Sequence, residues 1–315
     1  MDTRLVEMEF PSGVVRSLQL PIDVRSGSRA VQHAQTGDIL VLENGSSRVW
    51  RLSVAGHAAE ACQLTNAREA ARFRSSLGSR LLFHCVGGAA SIVVTGTPGR
   101  GASTPWQFDL ASAAWRQLPE APSAILSSAA FVSGDALVIV GGWSKERGCH
   151  GRVQTLPLAP GGAWKVAAGP PIPWRRPGAG CGGAGGQCFV ALGWMECQGT
   201  VGSPDFRLLR RNGAQQRART SSSRLCAVEG NGSFAELSTL PCADSFEHNG
   251  ELYMLGEEVF CIGRDHVQAF QLSTRTWRSW PLPRELRADS SNSWVKHCGS
   301  WAFTWLAQRG LSRGR

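Results

Sequence analysis

Gly134-Asp135-Ala136-Leu137-Val138-Ile139-Val140-Gly141-Gly142 is a turn signal, an apolar run and a closing glycine pair. The phrase recurs along the chain in weaker copies. Gly37 opens Asp38 to Asn44, Gly88 opens Ala89 to Gly96, and Gly186 opens Gln187 to Gly193. Gly250 opens Glu251 to Gly256, and Gly299 opens Ser300 to Leu306. The opening glycines stand 51, 46, 52, 64 and 49 residues apart. A period of that size signals an array of supersecondary units, each unable to bury its apolar face alone.

Each copy begins where a tight hairpin needs residues that tolerate positive φ: Thr36-Gly37-Asp38, Ser133-Gly134-Asp135, Asn249-Gly250-Glu251. An apolar strand precedes the turn and a second follows it. A third comes after a variable loop, at 49–54, 106–110, 153–158 and 267–272. The fourth carries an aromatic and ends near proline: Trp115 to Pro119, Trp164 to Val166, Phe234 to Leu237, Trp277 to Pro281. Phe108 to Trp115 and Phe270 to Trp277 are both seven residues apart. Four antiparallel strands in each interval make one propeller blade.

The glycine pair Gly141-Gly142, an aromatic-bearing third strand and a tryptophan in the fourth together resemble kelch repeats. The resemblance spans nearly the whole chain, although only the 134–164 copy keeps both the glycine pair and the tryptophan. It implies an all-β propeller of four-stranded antiparallel blades, here six, over residues 1–308, with a short basic tail at 309–315. Residues 5–21 align without a gap on 267–283. They therefore read as strands three and four of a last blade begun by 290–306. Such a composite blade pairs both terminal edges and removes a site of aggregation. Trp115, Trp164 and Trp277 share one repeat position and are expected in the core, between blades. A capping box, Asn66 with Glu69, points to a helical patch over 66–73.

Composition agrees with many short strands. Of 315 residues, 18% are charged and 37 are glycine, which argues against helical bundles. No apolar run reaches the length of a membrane helix, and acidic residues at Asp2, Glu7 and Glu9 disfavour a signal peptide. A cytoplasmic or nuclear location is the expectation. Ten cysteines are scattered without a Cys-x-x-Cys, most within apolar runs where a thiol packs as a small hydrophobe. Net charge is +9, almost all from arginine, with lysine only at 145, 165 and 296. The excess is diffuse and favours weak attraction of anions.

Signatures of chemistry are sparse. Gly178-Ala179-Gly180-Cys181-Gly182-Gly183 matches a dinucleotide fingerprint, but a strand-then-helix context is missing. No lysine follows a glycine, so there is no P-loop. Copper chemistry like that of galactose oxidase, a kelch-like relative, needs two tyrosines, and Tyr253 is alone. The Glu-x-x-x-Asp-x-x-x-His spacing of the kelch-like iron-binding specifier proteins does not occur. Cys149-His150 and Asp265-His266 fall between second and third strands, the positions from which histidines of different blades can meet on one face. No cofactor and no metal site is expected.

The outstanding local feature is an insertion at 195–223 in the fourth blade, rich in arginine: 207, 210, 211, 217 and 219. Long loops on a rigid scaffold carry binding function, and arginine suits planar recognition of carboxylate or phosphate. The segment lacks interleaved aromatics, which weighs against nucleic acid. The expectation is a non-catalytic, monomeric, protein-binding propeller. Its ligand face consists of loops between second and third strands, at 43–48, 96–105, 143–151, 194–223 and 256–265. Trp143, Arg147, His150, Trp194, Arg210, Arg211 and Arg264 are the candidate contacts. Kelch propellers often serve as substrate receptors beside a ubiquitin-ligase adaptor, so an adaptor or its substrate is the implied partner. The alternative is a kelch-type enzyme or carbohydrate binder, such as a sugar epimerase, with its site at the central mouth.

Overall fold

A computed structural model describes residues 3–9, 15–22, 28–32, 38–43, 48–55, 58–66, 68, 84–87, 91–95, 104–123, 128–144, 148–167, 179–182, 188–193, 197–198, 207–208, 223–228, 234–241, 251–263, 265–282, 294–296 and 301–307. Most of the helical patch expected at 66–73 lies outside them. The chain opens with β1 (Thr3–Glu9) and β2 (Val15–Gln19). Sheet I holds β3 (Arg29–Gln32), β4 (Ile39–Leu42), β5 (Val49–Ala55) and β6 (Ala58–Gln63). Sheet II holds β7 (His84–Gly87), β8 (Ser91–Thr95), β9 (Trp106–Asp109) and β10 (Ala114–Gln117). Sheet III holds β11 (Ala129–Ser133), β12 (Ala136–Ser144), β13 (Gly148–Pro157) and β14 (Lys165–Ala167).

Sheet IV is interrupted. Between β15 (Ala179–Gly182) with β16 (Cys188–Gly193) and β19 (Ser223–Val228) with β20 (Phe234–Thr239) lie β17 (Cys197–Gln198) and β18 (Arg207–Leu208), which pair only with each other. Sheet V holds β21 (Glu251–Leu255), β22 (Glu258–Ile262), β23 (His266–Gln271) and β24 (Thr276–Pro281). Last come β25 (Trp294–Lys296) and β26 (Trp301–Ala307). Sheet VI joins the two ends of the chain in the order β2-β1-β26-β25, with Thr3 opposite Ala307 and Glu9 opposite Trp301.

The fold is an all-β, propeller-like arrangement of small antiparallel sheets. Counted as blades it gives five of three or four strands, which corrects the expected six. Among the described residues hydrogen bonding separates six four-stranded sheets, so the count by strand pairing and the count by blade differ by one.

The chain divides into two compact units. The first, residues 1–98, 105–118 and 288–315, contains sheets VI, I and II; the first strand of sheet I lies beside the first strands of the other two. Ile39, Val41 and Leu52 pack with Leu18 and Leu20, while Leu40, Leu42 and Val49 pack with Ile92, Val94, Phe108 and Trp115. Period-two alternation therefore sends successive residues of β4 into two different cores, and all four are buried. The second unit, residues 99–104 and 119–287, contains sheets III, IV and V, again joined through first strands, β11 beside β15 and β15 beside β21. Val190 and Cys226 face sheet III; Phe189, Ala191 and Leu225 face sheet V.

The seven-residue aromatic spacing is a cross-strand pair. Trp115 sits opposite Phe108 with ring centres 5.0 Å apart at 51°, and Trp277 sits opposite Phe270 at 5.0 Å and 49°. Leucines that follow the fourth strands are buried and extend the ladder: Leu118 N–H donates to Pro105 O and Leu282 N–H to Asp265 O. Burial of the repeat tryptophans is uneven. Trp115 is 1% exposed, whereas Trp164 and Trp277 are only half-buried. Their indole N–H groups reach outside their own sheets, Trp164 to Pro119 O at 3.0 Å and Trp277 to Ser238 Oγ at 2.8 Å.

One glycine phrase was offset. Glu251–Leu255 is the first strand of sheet V, not the second; Gly256, at φ +59, makes the turn, and Glu258–Ile262 is the second strand. The interval from Gly186 thus becomes 70 residues. The two strands are alike in sequence: both are apolar and both are opened by a glycine.

Candidate functional site

Loops between second and third strands leave each sheet at one end, together with the segments that lead from a fourth strand into the next sheet. In sheet III this end is built differently from the expected open loop at 143–151. The β12–β13 ladder continues through Gly142 opposite His150, Trp143 opposite Cys149 and Ser144 opposite Gly148. Trp143 and His150 are therefore strand residues, and 145–147 lie outside the described residues. The ladder carries a register shift here: Val140 faces Val153 and Gly142 faces His150, so Gly151 and Arg152 together oppose Gly141. Gly141 adopts φ +71, which a side chain would strain. The glycine pair does not end the strand; it allows a β-bulge, a device that re-aims a side chain.

One of the two bulged residues is Arg152. Its side chain is exposed, and Nη1 donates to Ser123 Oγ at 2.9 Å. Ser123 belongs to the segment entering sheet III and is buried; its backbone N–H donates to Gln154 Oε1 at 2.9 Å. Gln154 is 0% exposed, and its Nε2 has no hydrogen-bond partner among the described residues. The chain Gln154–Ser123–Arg152 thus fixes a guanidinium at the loop end of sheet III. Three other described arginines pair with acids, Arg51 with Asp38 at 3.9 Å, Arg224 with Glu236 at 2.6 Å, and Arg278 with Glu258, while Arg116 donates to Gln107 Oε1. Arg152 has no carboxylate within ion-pair distance among the described residues. No local motif announces this group, because Ser123 and Arg152 are far apart in sequence and meet only through the sheet.

The insertion leaves from sheet IV at a defined base. Gly193 pairs with Ser223, and within the excursion Cys197 pairs with Leu208 and Gln198 with Arg207. Trp194, Arg210 and Arg211 lie outside the described residues, as do Arg147 and Arg264. In sheet V half of the expected loop at 256–265 is β22, and β23 begins at His266. There Asp265 Oδ1 and His266 Nδ1 lie 3.0 Å apart, both side chains partly exposed. His150 and His266 belong to sheets III and V, which have sheet IV between them, so the two histidine positions are not on neighbouring sheets.

Nucleophile and metal chemistry find little footing among the described residues. No group of three or more His, Cys, Asp or Glu gathers as a metal would require. Cys181, Cys226 and Cys261 are buried free thiols, whereas Cys62 is exposed and so departs from the expected core role. Burial raises the Cys226 thiol to about 11, with Glu236 adding to the rise, and burial raises Cys261 well above the ordinary range. These thiols stay protonated and unreactive at neutral pH. Within the glycine-rich 178–183 stretch, Ala179–Gly182 forms β15, the first strand of sheet IV, rather than a strand-to-helix turn. No helix among the described residues is long and apolar enough to cross a membrane. No family model matches the chain, and no curated protein matches it.

Proposed function

We propose that this chain is a kelch-type propeller that binds another protein, without catalysis, through the sheet ends carrying the second-to-third-strand connections. The kelch assignment is supported by the near-identical Phe108–Trp115 and Phe270–Trp277 pairs and by the bulge at Gly141-Gly142. One observation carries the functional reading: a long insertion rises from the paired base Gly193–Ser223 of a sheet buried on both faces. That insertion holds five arginines against Glu196 and Asp205, in a chain of net charge +9. A rigid base lowers the ordering cost of binding, and concentrated arginine selects an acidic partner. A ubiquitin-ligase adaptor or its substrate fits that description.

The test follows from the base. Because Gly193 and Ser223 already face each other, replacing 194–222 with Asn-Gly should close a two-residue hairpin without disturbing sheet IV. Affinity capture with the wild type, this variant and the Arg210→Ala/Arg211→Ala double variant should identify an acidic protein. It should bind the wild type and lose affinity for both variants at unchanged melting temperature. A partner that binds all three equally would overturn the reading.

A further inference from the structure

We infer that Arg152 is a second, separate recognition point, one that takes an aspartate or glutamate side chain from an acidic peptide segment of the partner. The inference rests on the reading that these sheet ends bind a protein. Three observations converge on it. The bulge opposite Gly141 places Arg152 at the loop end of sheet III. Among the described residues its guanidinium spends one hydrogen bond, on Ser123 Oγ, and meets no acid, while Arg51, Arg224 and Arg278 are ion-paired. The Ser123 that orients it is itself buried and tied by its backbone to Gln154, which is wholly buried.

The chemistry suits a carboxylate. A guanidinium has five N–H donors in a rigid fork, and one bond to Ser123 leaves enough for a bidentate contact. Because Ser123 Oγ accepts from Arg152, its own hydroxyl hydrogen remains to donate to the same anion. Arg152 would thus meet the ligand already held in one geometry, so little side-chain freedom is lost on binding. Gln154 acts as a positioning residue: it touches Ser123, not the ligand. A net positive chain adds long-range attraction for acidic segments but no geometry; the fixed fork supplies the geometry.

The probe is a fluorescein-labelled hexaglutamate peptide, with hexaglutamine as control, titrated by fluorescence anisotropy into the full-length wild type. Four variants complete the set: Arg152→Gln, Arg152→Lys, Ser123→Ala and the Asn-Gly replacement of 194–222. Saturable binding of hexaglutamate, at least tenfold tighter than hexaglutamine and weakened by salt, is expected for the wild type. Arg152→Gln should weaken it about tenfold and Arg152→Lys several-fold, since lysine keeps the charge and loses the fork. Ser123→Ala should fall between wild type and Arg152→Gln. Arg152→Gln binding within twofold of wild type, or Arg152→Lys binding as well as wild type, would overturn the inference, as would equal binding of the two peptides by wild type. If the Asn-Gly variant keeps Arg152-dependent binding and also keeps the cellular partner, the insertion reading fails while this one stands. If Arg152→Gln keeps both peptide and partner and the Asn-Gly variant loses them, the reverse holds. Should either single variant fold poorly by circular dichroism, the other reads the same contact.

Discussion

Truncating the repeat tryptophans should expose how unequal copies of one motif are. Trp115 and Trp277 hold the same aromatic partner in the same geometry, at 5.0 Å and about 50°. They differ in burial: Trp115 is 1% exposed within a nine-residue core, and Trp277 is half-buried. Trp115→Ala removes a fully buried indole and leaves a cavity, at a cost of about 3–5 kcal/mol. Trp277→Ala buries less area and should cost roughly 2–3 kcal/mol. About 1 kcal/mol of that belongs to the indole bond to Ser238 Oγ. Trp277→Phe keeps an aromatic ring opposite Phe270 and removes the N–H, and a cycle with Ser238 separates the bond from the lost ring area. In a double-mutant cycle with Ser238→Ala, the coupling should be about 0.5–1.5 kcal/mol. Urea unfolding followed by far-ultraviolet circular dichroism measures the wild type and all five variants. A Trp277→Ala cost equal to or above that of Trp115→Ala would refute the assignment of burial as the deciding term. So would absence of coupling to Ser238 for the bond.

Other expectations concern turns. Gly162→Ala should destabilise by more than 1 kcal/mol, because a Cβ there would meet Pro157 O at 2.2 Å and Ala159 O at 3.2 Å; thermal melting gives the sign, and an unchanged midpoint would contradict the crowding. Ala113 adopts φ +52 in the turn joining β9 to β10, so Ala113→Gly should stabilise by up to about 1 kcal/mol, a rise in melting midpoint that Ala111→Gly should not share. Asp109 caps the same turn, accepting from Ser112 N–H and Oγ–H, both at 2.7 Å. The backbone bond from Ser112, then its hydroxyl, lowers the Asp109 carboxyl below its ordinary value. A lowered folded-state value means that the stabilisation is present above the unfolded value, near pH 4, and is lost as pH falls through the folded one. The stability gap between wild type and Asp109→Asn should therefore be constant from pH 7 to 5 and shrink below pH 4. A gap that widens in acid would refute the sign.

How much was legible follows from which signals are local. The turn glycines, the apolar runs and the seven-residue aromatic spacing each act over a few residues, and they placed the second and third strands of sheets I and II and the inner part of sheet III; β6, which has no aromatic, and the outer β12–β13 ladder were not legible. The terminal strands were legible because 5–21 repeat the pattern of 267–283, and β1 pairs with β26 along its length. Sheet V was misplaced by one strand because Gly250 and Gly256 both open apolar runs, and first and second strands are alike in composition. The Arg152 group was not legible at all, since its members come from separate segments. Yet one of its causes was in view. Among the described pairings of second with third strands, only β12–β13 has a register shift. It is also the sheet that keeps the glycine pair, while Gly96 and Gly193 stand singly and Asn44 takes the place in the first copy. Positive φ at Gly141 absorbs the mismatch of one residue against two, and Arg152 is one of those two. The pair that marks the repeat and the bulge that takes in the arginine are therefore one feature: the described copies without the pair join their second and third strands with no shift in register.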